Sequence, residues 1–197
     1  MRPNIHPITE RMLTRQDRES LLGQKSACFW LTGLSGSGKS TIALAAEHSL
    51  YNAGYLVQIL DGDNLRFGLN SNLGFSEEDR QENIRRAAEV AKLYIQTGII
   101  VIGCFVSPTI ALRHLARQII GTDFHEIYIN ASLEICENRD VKGLYQKARA
   151  GEIKDFTGIH QPFEMPEHPD YVIESGIQNP EESTAGFLAY VLDRIKT

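Results

Sequence analysis

Gly33-Leu34-Ser35-Gly36-Ser37-Gly38-Lys39-Ser40 is the stretch on which the reading of this 197-residue chain turns. It fits the phosphate-binding pattern G-x-x-x-x-G-K-[ST], and its flanks supply the context that gives the pattern meaning. Ala27, Cys28, Phe29, Trp30, Leu31 and Thr32 form an apolar run of strand length ahead of it. Behind it, Ile42, Leu44, Ala45, Ala46 and Leu50 recur at mainly helical spacing. A strand feeding a glycine turn that opens a helix aims successive backbone N–H groups, and the positive end of the helix dipole, at one spot. The pattern therefore predicts a bound nucleoside triphosphate, with Lys39 reaching the β- and γ-phosphates and the Ser40 hydroxyl on Mg²⁺.

Working outward, four further apolar runs read as strands, at 55–60, 99–106, 124–130 and 171–174. Helix-like spacing fills 76–97, 109–120, 131–148 and 179–196. The strands are near-continuous in Val, Ile and Leu, as in a sheet covered on both faces. Such alternation predicts right-handed βαβ units, hence a three-layer α/β/α P-loop kinase fold with a mostly parallel five-stranded sheet. Ser76, followed by Glu77, Glu78 and Asp79, marks a helix start. From 150 to 169, Gly151, Gly158, Pro162, Pro166 and Pro169 break regular structure, and so long an irregular stretch points to a functional lid. No linker is visible. Residues 1–197 read as one domain, with a lead-in segment at about 1–24 and a lid at about 142–169.

The formal charge of −5 argues against general affinity for nucleic acid or membranes. Cys28, Cys104 and Cys136 are odd in number, widely spaced and set in apolar segments, which predicts buried free thiols in a reducing compartment. The six histidines show no metal-ligand spacing. No apolar stretch is long enough to span a bilayer, and the polar start lacks the apolar core of a signal peptide, so the expected location is cytoplasmic.

The acceptor chemistry is suggested by Asp61-Gly62-Asp63, just past the strand at 55–60. Carboxylates at a strand's carboxyl end lie where α/β proteins bind ligands. If the chain stays extended there, both side chains project to the same side. One can then hold a metal-bound water while the other takes a proton from an attacking hydroxyl, which suits phosphoryl transfer to an alcohol. An acidic β-turn with Gly62 at its tip is the bland alternative. Downstream, Arg66, Arg80, Arg85 and Arg86 bring guanidinium groups, which bind phosphate or sulfate oxygens bidentately. Helix-face pairs such as Glu82–Arg86 compete for that role. Arg66 and Arg80 flank the 68–75 turn beside the acids, and together these residues describe a small-molecule kinase with an anionic acceptor.

Longer strings carry a closer likeness. LTGLSGSGKSTIA (31–43), DGDNLRFGLN (61–70), LGFSEEDRQENIRR (73–86), FVSP (105–108), RDVKGLYQKARAGEIKDFTGI (139–159) and PEHP (166–169) stand in the order seen in adenylylsulfate kinases. The chain resembles that family from about Asn4 to its last helix. The resemblance implies ATP with Mg²⁺ as phosphoryl donor and adenylylsulfate as acceptor, phosphorylated on its ribose 3′-hydroxyl to give 3′-phosphoadenylylsulfate. It places ATP on Gly33, Leu34, Ser35, Gly36, Ser37, Gly38, Lys39, Ser40 and Thr41, with Arg139 against its base or phosphates. Mg²⁺ falls to Ser40 and, through water, Asp61. Asp63 becomes the base, while Arg66, Arg80 and Asn83 hold the phosphosulfate and ribose. Phe75 and Phe156 clamp the adenine. Lys142, with Lys147, Arg149 and Lys154, belongs to a lid that excludes water.

Ser107, in the F-x-S-P motif, is catalytic by resemblance, since the family's serine there has been assigned as a phosphoenzyme. No activating base adjoins it in sequence, so a positioning role with direct in-line transfer is preferred. The resemblance also implies a homodimer and ATP sulfurylase as a functional partner. Three positions depart from the family's pattern: Thr109 and Ile110 replace Tyr-Arg, His160 replaces an aspartate, and Gln161-Pro162-Phe163-Glu164 replaces S-P-Y-E. Two alternatives remain open, a kinase for another small alcohol or nucleotide and a silent regulatory P-loop subunit of a sulfurylase.

Overall fold

Thr14 starts the first helix, α1 (Arg15–Leu22), through a capping box in which its side chain and that of Asp17 each satisfy the other's backbone N–H. The computed structural model describes residue 4 and residues 6–197; positions 1–3 and 5 of the lead-in segment lie outside the described residues. Five strands follow, β1 (Cys28–Thr32), β2 (Val57–Asp61), β3 (Ile100–Cys104), β4 (Phe124–Ile129) and β5 (Tyr171–Ile173). They pair in the order β2-β3-β1-β4-β5, and every pairing is parallel. Parallel strands need crossovers, and helices supply them: α2 (Lys39–Asn52), α4 (Glu77–Gln96), α5 (Ile110–Ile120) and α8 (Pro180–Ile195) cover the sheet.

Alternation within the strands sorts the core into two layers. Phe29, Leu31, Ile102 and Ile127 pack against Ile42, Ala46 and Leu50 of α2 and Phe187 and Val191 of α8. Trp30, Val101 and Phe124 meet Ile84, Ala87 and Ala91 of α4 and Leu112 and Ala116 of α5 on the opposite face. This is the expected three-layer α/β/α arrangement. All three cysteines are buried and free, as their apolar settings predicted. No helix among the described residues is long and apolar enough to cross a membrane.

Three expectations are corrected. The chain does not stay extended through the acidic pair, nor does it form a simple turn. A short helix, α3 (Gly62–Phe67), begins at once, because Asp61 caps it by accepting from the N–H groups of Asp63 and Asn64. The helix expected over 131–148 is two, α6 (Leu133–Arg139) and α7 (Leu144–Arg149). Asp140 ends the first, and its carboxylate accepts from Tyr145 and Gln146 N–H to start the second. The strand expected over 99–106 also stops at Cys104. Between α7 and β5 the chain is irregular, as its glycines and prolines predicted.

Candidate active site

The phosphate-binding loop lies at the carboxyl end of β1, the central strand, flanked by β3 and β4. Gly38 caps α2 with φ 103°, and no side chain satisfies the first-turn amides of that helix. Gly36 has φ 76°, and a Cβ there would come within 2.9 Å of Cys136 O, so only glycine fits. Each carbonyl from Gly33 to Ser37 accepts from a side-chain donor, and Lys39 serves two of them. Lys39 Nζ donates to Gly33 O (2.9 Å) and Leu34 O (2.8 Å). Tyr145 Oη donates to Ser35 O (2.9 Å), Arg139 Nη1 to Gly36 O (3.4 Å) and Ser175 Oγ to Ser37 O (2.6 Å). With its oxygens held by these groups, the loop is free to offer its N–H groups as a cradle for anions.

The donor set fits a Mg²⁺–triphosphate. Ser40 Oγ lies 3.0 Å from Asp61 Oδ2, which docks the start of α3 on the first turn of α2. No cluster of three His, Cys, Asp or Glu side chains among the described residues could hold a metal alone. A metal here would therefore take most ligands from phosphate oxygens and water, as Mg²⁺ does beside nucleotides. Burial pushes the Lys39 ammonium down to about 8, a cost that an anionic phosphate would relieve.

Asp63 sits in the first turn of α3 and pairs with Lys142, which lies between α6 and α7. Their side chains remain 71% and 61% exposed, so the pair is weak and readily exchanged. Its hydrogen bond to Asp63 is the main cause that raises the Lys142 pKa. Arg66 and Arg80 both lie over the Phe75 ring, their guanidinium carbons 4.4 and 5.7 Å from its centroid. Arg80 also donates to Asp155 O (2.7 Å) and Thr157 Oγ1 (3.4 Å), bringing the start of α4 to the residues on either side of Phe156. Phe156 itself packs edge-on against Tyr145, while Phe75 is 60% exposed. Arg85 and Arg86 instead pair with Glu82 on the face of α4.

Asn83 is buried and its Oδ1 accepts from Asn70 Nδ2 (2.9 Å). Ser107 is buried too, at φ 37°; its Oγ accepts from Trp30 Nε1 (3.2 Å) and donates to Thr32 Oγ1 (2.9 Å).

A family model described as adenylylsulphate kinase matches residues 25–174. The chain belongs to the adenylylsulfate kinase family. Relatives named adenylyl-sulfate kinase include one from Bacteroides fragilis, 58% identical over 98% of this chain and 96% of its own. Another, from Clostridium acetobutylicum, is 54% identical over 92% of this chain and 91% of its own. An APS kinase from Mycobacterium tuberculosis, solved in complex with AMPPNP and APS, matches with a TM-score of 0.82 at 43% identity, over 85% of this chain and 98% of that one. A gluconokinase from Sinorhizobium meliloti, 15% identical with a TM-score of 0.58 over 86% of this chain and 93% of that one, shares the fold alone.

The residues set against the family's pattern above have local work. Thr109 caps α5 by accepting from Leu112 N–H, His160 Nδ1 accepts from Phe156 N–H, and Phe163 stacks on Tyr128. Tyr145 and Ser175 support the phosphate loop without having been singled out in the sequence, although Tyr145 stands within the string quoted at 139–159.

Proposed function

We propose that this chain transfers the γ-phosphoryl group of Mg²⁺-ATP to the ribose 3′-hydroxyl of adenylylsulfate, giving ADP and 3′-phosphoadenylylsulfate. The observation that carries the reading is the docking of Asp61 on Ser40. It sets the acidic start of α3 beside the amide cradle, and Arg66 and Arg80, gathered over the Phe75 ring, supply the cationic surface for the acceptor. Bound Mg²⁺ would neutralise charge on the transferring phosphoryl group. The loop amides and Lys39 hold the phosphates, and Ser40 with Asp61 orients the metal's surroundings. Asp63 accepts the proton of the 3′-hydroxyl. Lys142 covers Asp63 in the free protein, and its attraction to an anionic acceptor would release that carboxylate when substrate arrives.

Phe75 and Phe156 take the acceptor's adenine; Arg66, Arg80 and Asn83 take its phosphosulfate and ribose. Arg139 borders the ATP side of the loop. Residues at about 142–169 act as a lid of the single domain 1–197, and Arg80 is the latch that reaches it. Ser107 positions the end of β3, and transfer is direct. A homodimer in the cytoplasm, supplied by an ATP sulfurylase, completes the proposal. Assembly has a precedent in an APS kinase from Thiobacillus denitrificans that is hexameric, 28% identical with a TM-score of 0.65, of which this chain covers 29%.

The test is ADP release across acceptors for wild type and Asp63→Asn. Turnover with adenylylsulfate, lost by at least about a hundredfold in the variant with ATP-analogue affinity kept, supports the reading. Turnover with gluconate or a nucleoside monophosphate alone would reject it.

A further inference from the structure

We propose that Arg113, which touches no part of the phosphate cradle, is a positioning residue for acceptor binding. It anchors the C-terminal root of the lid to strand β4, an inference that rests on the kinase reading above. Its side chain is 2% exposed, and its charge is met by Glu126 of β4, with Nε 2.6 Å from Oε1. The rest of the guanidinium fork is spent on backbone: Nη1 donates to Ser107 O (2.9 Å) and Nη2 to Glu164 O (2.8 Å). One planar cation thus joins the loop after β3, the strand β4 and the far end of the irregular segment.

Glu164 is held from other sides as well. Its N–H donates to Pro108 O (2.8 Å), and its Oε2 accepts from Ile110 N–H (2.6 Å) at the start of α5. The preceding Phe163 lies between Tyr128, whose ring centroid is 6.1 Å away, and the Arg113 guanidinium, 5.7 Å from the Phe163 centroid. Ser107 stands at φ 37°, a conformation that is strained for a side-chain-bearing residue and persists only where its surroundings hold it.

The lid's middle, at Asp155 and Thr157, meets Arg80 on the acceptor side, whereas its end is fixed at this post. Freeing the post lowers the fraction of molecules with the lid seated over the acceptor. The supports of the ATP cradle, Lys39, Arg139, Tyr145 and Ser175, make no contact with Arg113, whose partners are Glu126, Ser107 and Glu164. Buried ion pairs are seldom kept for stability, since apolar residues of similar volume often replace them without loss. A positional duty explains why this one is there.

The experiment compares wild type with the double variant Arg113→Met/Glu126→Leu, which removes both buried charges together. We expect a folded variant whose thermal midpoint falls modestly, because Ser107 O and Glu164 O lose their donors, and a KM for adenylylsulfate raised about tenfold. The KM for ATP should stay within about twofold, and limited proteolysis within 150–165 should run faster. Wild-type kinetics and proteolysis in the folded variant, or an equal rise in both KM values, would overturn the proposal. If the double variant does not fold, Arg113→Lys keeps the charge facing Glu126 and gives up the fork, and the same KM split is read from it. Failure of both to fold would mark Arg113 as a folding residue and overturn the positioning role. Absence of turnover in wild type would instead sink the kinase reading, and the proteolysis comparison would still report on the anchor.

Discussion

Tyr145 donates its phenol proton to Ser35 O across 2.9 Å, and through that bond α7 shapes the phosphate loop. The same ring packs edge-on with Phe156, so under the proposed assignment donor and acceptor sides meet on one residue. Tyr145→Phe keeps the ring and removes only the bond. We expect a loss of about 1 kcal/mol in ATP binding, roughly a fivefold weakening, with the KM for adenylylsulfate unchanged. Calorimetric titration with a non-hydrolysable ATP analogue checks the first half and steady-state kinetics the second.

Phe75 and Phe156 separate binding from folding. Phe75 is 60% exposed, so Phe75→Ala should raise the KM for adenylylsulfate about tenfold while leaving the thermal midpoint where it was. Phe156 packs on the cluster of Ala131, Cys136 and Tyr145, and Phe156→Ala should cost about 1–2 kcal/mol of stability besides the same rise in KM. Equal stability losses in the two variants would contradict this placement.

The pH dependence of ATP binding tests Lys39. Burial lowers its pKa to about 8 in the free protein, and phosphate oxygens favour the charged form. Between about pH 8 and its ordinary value near 10.5, binding must therefore take up a proton, and ATP affinity falls as pH rises through that window. Titrations at pH 8.5 in buffers of different ionisation enthalpy should show the uptake, and Lys39→Arg should abolish it. Binding enthalpies independent of buffer would refute the assignment.

Ser107 can be judged by its bonds. Its Oγ already accepts from Trp30 Nε1 and donates to Thr32 Oγ1. Ser107→Ala should keep turnover within about tenfold and lose about 1 kcal/mol of stability, because the indole N–H loses its acceptor. Loss of turnover with wild-type stability would return a covalent step to consideration.

How far the sequence could be read depended on the range of the interactions involved. Strand β4 and the helix after Ser76 were legible because apolar runs and capping side chains act locally. Helix α3 was not, since its six residues carry no apolar periodicity and its start depends on one Asp61 side chain turning back onto the chain. The break at Asp140 hid in the same way: a carboxylate that restarts a helix looks like any polar residue within one. The glycines, Lys39 and Ser40 of the loop announced themselves by spacing. Their supports, Tyr145 and Ser175, lie 110 and 138 residues from the carbonyls they bind, a pairing only the fold creates.

Phosphorus NMR of the product formed from ATP, Mg²⁺ and adenylylsulfate tests the central claim most directly. The account predicts ADP together with a new phosphomonoester resonance on the ribose 3′ position, with the sulfate-bearing 5′-phosphate intact. ADP with inorganic phosphate and unchanged adenylylsulfate would contradict it.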